Sequence, residues 1–121
     1  MTTKSALHPI SKVSGTAEFN VAQTADTDFL TADIEPTYSP SKWVIQIQLS
    51  AAAVVNVMCQ RIGGAEHDLE LNGATGALTA SRLYIFQIFV EFGFTYNFQV
   101  SADATTEWFS VTEVGVENPV G

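Results

Sequence analysis

Between Trp43 and Ser50 the chain alternates strictly: Trp43, Ile45, Ile47 and Leu49 fall on one side, and Gln46, Gln48 and Ser50 on the other. A period of two does not build an apolar stripe on a helix, whose period is 3.6. It fits a pleated strand with one face in a core and one outside it. The same period recurs along most of the chain. Phe19 and Val21 alternate with Asn20 and Ala22, and Val55, Val57 and Cys59 alternate with Asn56, Met58 and Gln60. Phe94 to Val100 alternates throughout, and Phe109 and Val111 oppose Trp108, Ser110, Thr112 and Val114. His67–Leu71 reads as a short strand closed by Asn72-Gly73, a pair that tolerates the positive φ of a tight turn. Pro36, Pro40, Gly63-Gly64 and Gly93 punctuate the remainder. No segment has a long 3.6-residue pattern with caps, so the spacing predicts seven to nine short strands in one all-β domain.

The most apolar segment runs from Arg82 to Phe92. Tyr84, Phe86, Ile88 and Val90 form one face, and Leu83, Ile85 and Phe89 make the other face largely apolar too. That pattern predicts a central strand covered on both sides. The uneven strand lengths and differing loops favour a two-sheet antiparallel sandwich of jelly-roll-like form over a closed barrel. The expected organisation is an extended N-terminal arm over 1–17, a β-sandwich domain over 18–116 and a C-terminal tail over 117–121. The arm holds Lys4, Lys12, His8 and Pro9, with Leu7, Ile10 and Val13 as its only apolar anchors.

A chain of 121 residues fits one domain, and 46% apolar residues, with eight Phe, three Tyr and two Trp, supply its core. Five Lys and Arg against 13 Asp and Glu leave a net charge of −8 and no basic patch, which argues against nucleic acid as a partner. No run approaches the roughly 20 apolar residues of a membrane-crossing helix, and the first residues lack the apolar segment of a cleaved leader. The single cysteine, Cys59, makes no internal disulfide. Charged residues amount to 15%, below the usual value of about 25%. Ser, Thr, Asn and Gln fill most polar positions, and such groups cost far less to desolvate than ions. Two readings follow: a soluble β-protein with a mild surface, or a protein packed against copies of itself or another assembly.

Reactive constellations are hard to find. Cys59 falls on an apolar strand face, the setting of a small buried hydrophobe rather than a nucleophile. His67 and Asp68 are strand neighbours and point to opposite faces, so they do not form a dyad. His8 lies in the arm, and the two histidines lack the spacing of a zinc site; no cofactor is expected. Asp26, Asp28 and Asp33 form a weak calcium candidate, with Glu35 nearby but without the glycine turn and terminal glutamate of a dedicated calcium loop. Glu91 and Glu107 are the only candidates for a glycosidase pair, and nothing in the pattern makes them face one another. Among aromatics that stack on sugars, Trp43 and Tyr84 read as core, Trp108 fits either face, and Tyr38, in the double-proline loop, reads as exposed.

The segment Leu71-Asn72-Gly73-Ala74-Thr75-Gly76-Ala77-Leu78-Thr79-Ala80 leads into Leu83-Tyr84-Ile85-Phe86. Thr95-Tyr96-Asn97-Phe98-Gln99-Val100 and Phe109-Ser110-Val111-Thr112-Glu113-Val114 follow. Over about residues 70–115 this style resembles the small β-sandwich capsid decoration (cement) proteins of tailed viruses. The resemblance implies a non-enzymatic virion protein on the capsid surface, a homotrimer bound to the major capsid protein or other shell subunits. Its flat Ser/Thr/Gln-rich face would be buried around the symmetry axis. Leu7, Ile10, Val13 and Tyr38 are then the expected partner-binding residues. The alternative is a carbohydrate-binding or receptor-binding module on the same sandwich, in a virion or secreted protein.

Overall fold

The computed structural model describes residues 8–37, 41–73 and 76–117. Eight strands follow in chain order: β1 (His8–Glu18), β2 (Val21–Gln23), β3 (Ser41–Leu49), β4 (Val55–Arg61), β5 (Glu66–Glu70), β6 (Tyr84–Val90), β7 (Phe94–Val100) and β8 (Ala104–Glu117). Residues 8–17 of the expected arm lie in β1, paired antiparallel with β8 from His8↔Glu117 to Glu18↔Phe109.

The fold is all-β, with two antiparallel sheets. One has the order β1-β8-β3-β6, with β2 added alongside β8; the other has the order β5-β4-β7. Beyond β2 the chain crosses to the free side of β7. There the Asp26 amide donates to the Val100 carbonyl (2.8 Å), Phe29 to Phe98 (2.8 Å), and Ile34 pairs with Tyr96. The first strand thus pairs with the eighth, the segment after the second with the seventh, the third with the sixth and the fourth with the fifth. An antiparallel ribbon rolled over on itself gives this order, which is that of a jelly roll.

The alternation seen in the sequence is the reason the two sheets adhere. Trp43, Ile45, Ile47 and Leu49 of β3 are wholly buried, as are Phe109 and Val111 of β8; Val55 and Val57 of β4 and Phe98 and Val100 of β7 meet them from the other sheet. Trp43 sits edge-on to Tyr96 at 5.0 Å and Phe98 edge-on to Phe109 at 5.1 Å, while Phe29 touches both Phe98 and Phe109. Edge-to-face ring pairs contribute about 0.5–1.5 kcal/mol each beyond area burial. Gly93, at φ +91°, makes the reversal between β6 and β7 that a side-chain-bearing residue would strain.

Five polar residues are buried among the described residues, Gln23, Ser41, Asn97, Thr106 and Glu113, and two of them gather several hydrogen bonds. Asn97 is buried because the segment after β2 covers the outer side of β7. Its amide donates to the Leu30 carbonyl (2.9 Å) and to Asp33 Oδ1 (2.8 Å), and its Oδ1 accepts the Leu30 amide (3.1 Å). Glu113 continues the inward side of β8 after Phe109 and Val111, with 0% exposure. Its carboxylate accepts the Thr37 amide (2.8 and 2.9 Å), the Ser41 hydroxyl (3.2 Å) and the Trp43 indole N–H (3.1 Å).

The sequence expectation for β6 is corrected. It is an edge strand, paired with β3 alone among the described residues. Tyr84, Phe86 and Ile88 are half-buried, whereas Ile85, Gln87 and Phe89 are exposed. An apolar outer face does not itself supply a cover.

Candidate binding face

The outer face of the five-stranded sheet gathers the features the composition suggested. Register sets its rows: Val114, Lys42 and Phe89; then Thr112, Val44 and Gln87; then Ser110, Gln46 and Ile85; then Trp108 and Gln48. Antiparallel partners share a face, and β3 and β8 alternate buried with half-buried residues, so these side chains form one surface. Lys42 is the single charged side chain in these rows. The rest are hydroxyls, amides and apolar groups, a mixture that loses its water cheaply. Charge depletion with aromatic enrichment is the composition of an interface core.

One corner of this face is an aromatic step. Trp108 and Phe19 meet edge-to-face at 4.8 Å, both partly in solvent, and Val21, which follows Phe19 closely in the sequence, is also exposed. The Trp108 indole N–H donates to Gln46 Oε1 (3.1 Å), and the Gln48 amide donates to Glu107 Oε1 (3.1 Å). The β3–β8 register shifts between Gln48 and Leu49, so Glu107 occupies a bulge that leaves Trp108 on the outer side. The bond to Gln46 orients the Trp108 ring before anything binds.

A cleft of about 290 Å³ opens beyond the far end of β6, lined by Cys59, Phe89, Val90, Glu91, Phe94 and Tyr96. Burial pushes the Cys59 thiol above its ordinary value, against a lowering hydrogen bond with Tyr96, and burial likewise raises Tyr96. A thiol held protonated is a poor nucleophile. Register also sets Cys59 directly opposite His67 across β4 and β5, a juxtaposition the sequence reading missed. The signal was present: both residues stand four positions from Gly63, in the hairpin turn.

The remaining sequence candidates are dispersed. Glu91 follows β6 next to the row of Ser41, while Glu107 lies beside Gln48. They therefore sit at opposite ends of β3, about 23 Å apart along the strand. Asp28 accepts the Gln99 amide (2.9 Å), and Asp33 accepts the Asn97 amide (2.8 Å) and the Thr95 hydroxyl (3.5 Å), so both tie the covering segment to β7. Among the described residues no three His, Cys, Asp or Glu side chains form a group able to hold a metal ion, so Asp26, Asp28 and Asp33 are not brought together as ligands.

Trp43 is core, as expected. Tyr84 is half-buried, stacked on Phe86 at 5.7 Å, with its hydroxyl accepting the Thr79 amide (2.9 Å). Ile10 and Val13 lie in β1 opposite Gly115 and Thr112. Leu7 and Tyr38 fall outside the described residues. No family model, curated protein or solved structure matches the chain.

Proposed function

We propose that the chain is a non-enzymatic structural protein of a virion, a decoration or cement protein. It lays the outer face of its five-stranded sheet on the outer surface of a viral shell. The observation that supports this reading is the face itself: rows of Gln, Ser, Thr and Val with one charge, flanked by the Phe19–Trp108 step. A rigid jelly roll brings such a face to a partner at little ordering cost, because its rows are fixed by the ladders of β3 and β8. A stable contact needs roughly 800 Å² on each side. Repetition over a symmetric shell multiplies modest single contacts into tight attachment.

Co-sedimentation of the purified chain with shells of the virus that encodes it tests the reading. Saturable binding that raises the shell's dissociation temperature is expected. Chain that stays in the supernatant at every ratio, or retention by a glycan matrix in place of shells, would overturn the reading.

A further inference from the structure

We propose that β6 is a self-association edge: a second copy of the chain adds its own β6 antiparallel to the first, across a two-fold axis at Gln87. The other long edges are protected: the outer side of β7 is covered by the segment from Asp26 to Ile34, and β2, the one uncharged alternative, is only three residues long. β5, at the edge of the smaller sheet, is exposed at every residue and carries Glu66, Asp68 and Glu70. β1, at the opposite edge of the larger sheet, carries Pro9 and Lys12. Charge and proline are how sheet edges avoid pairing. β6 has neither from Tyr84 to Val90, and no described strand pairs its outer edge. Phe89, 86% exposed, and Ile85, 59% exposed, stand on it.

The occupant is read from the sequence of β6. Folded about Gln87, Phe86 meets Ile88 of the other copy, Ile85 meets Phe89, and Tyr84 meets Val90. Each apolar residue meets an apolar residue. The one polar residue meets itself, and a carboxamide both donates and accepts. The flanks agree in charge: Arg82 precedes the strand and Glu91 follows it, so antiparallel pairing sets the basic end of one copy at the acidic end of the other. Parallel pairing would set like on like. An interface of this kind is isologous and closes at two copies, unlike the three-fold contact that the sequence resemblance implies. It would join two five-stranded sheets into one of ten, with a continuous outer face. The pairing does not depend on what that face binds.

The test is sedimentation of the full chain over a concentration series, together with site-directed crosslinking in a Cys59→Ala background. A concentration-dependent dimer is expected. It should tighten with salt, because each copy carries −8. Directly opposite residues in antiparallel strands lie about 4.5–5.5 Å apart between Cα atoms, within disulfide range. Gln87→Cys should therefore form a covalent dimer on mild oxidation. Ile85→Cys should not, since its own copy lies four residues away, about 13 Å. Phe89→Lys, altering a side chain in solvent, should keep the melting temperature and abolish the dimer. A monomer at all concentrations overturns the proposal, as does Ile85→Cys crosslinking as readily as Gln87→Cys. A monomer that binds an added extended peptide along β6 overturns it in favour of strand donation by another protein.

Discussion

Replacing Glu113 by Ala should be among the most damaging single changes in the molecule. The carboxylate is wholly buried and accepts hydrogen bonds from the Thr37 amide, the Ser41 hydroxyl and the Trp43 indole. Truncation removes the acceptor of the buried Ser41 hydroxyl and Trp43 indole, at about 1–3 kcal/mol for each group left unsatisfied, while the exposed Thr37 backbone adds less. Relief of the buried charge's own desolvation offsets part of that loss, so a net destabilisation of about 4 kcal/mol is expected. At about 2.1 cal/mol/K per residue, a chain of 121 residues unfolds with an entropy near ~0.25 kcal/mol/K, so the melting temperature should fall by about 15 °C. Glu113→Leu separates two causes, because leucine refills the space while leaving the donors unmet. Scanning calorimetry of the three proteins is the assay. A fall of only two or three degrees for the Ala variant, or full recovery with Leu, would refute the hydrogen-bond argument.

Other perturbations have equally definite outcomes. Asn97→Ala should destabilise by about 2–4 kcal/mol, read from denaturant midpoints, because both backbone groups of Leu30 lose their partner. The same change should make the segment between Asp28 and Asp33 the first site of proteolytic cleavage. Cys59 and Tyr96 both titrate above their ordinary values of 9.0 and 10.0 because burial penalises their charged forms. The unfolded chain therefore releases those protons first. Their contribution to stability is whole below pH 9 and is lost as pH rises through the raised values. Thermal melts from pH 8 to 11 should show the decline, and Cys59→Ala with Tyr96→Phe should flatten it. Trp108→Ala should cost about 2 kcal/mol of shell binding, roughly thirtyfold, while changing stability by less, because the ring lies on the surface.

Much of the fold was legible in the sequence. Strict alternation in β3 placed Trp43, Ile45, Ile47 and Leu49 inside, and that in β8 placed Phe109 and Val111 inside, since side-chain direction on a strand is a matter of parity. Where the reading failed, it lacked information about neighbours. β6 was expected in the centre because both its faces are apolar, yet apolar residues do not tell whether their cover belongs to the same chain. Glu113 has the parity of Phe109 and Val111, a signal of burial that its charge obscured. Asn97 is on the outer parity of β7 and is buried only because the segment from Asp26 to Ile34 lies across it. The rows of the outer face required the register of β3 against β8 and β6, which alternation within one strand does not contain. Glu107 shows the same limit, because its bulge is a property of two strands together.

Hydroxyl-radical footprinting of the chain, free and on saturated viral shells, tests the proposed binding face itself. Phe19 and Trp108 mark that face, while Ile62 and Leu69, more exposed still, lie beside and on the smaller sheet and serve as internal controls. Strong protection of Phe19 and Trp108 with unchanged oxidation of Ile62 and Leu69 is the expected result. Protection of Ile62 and Leu69 alone, with Trp108 still fully reactive on the shell, would contradict the account.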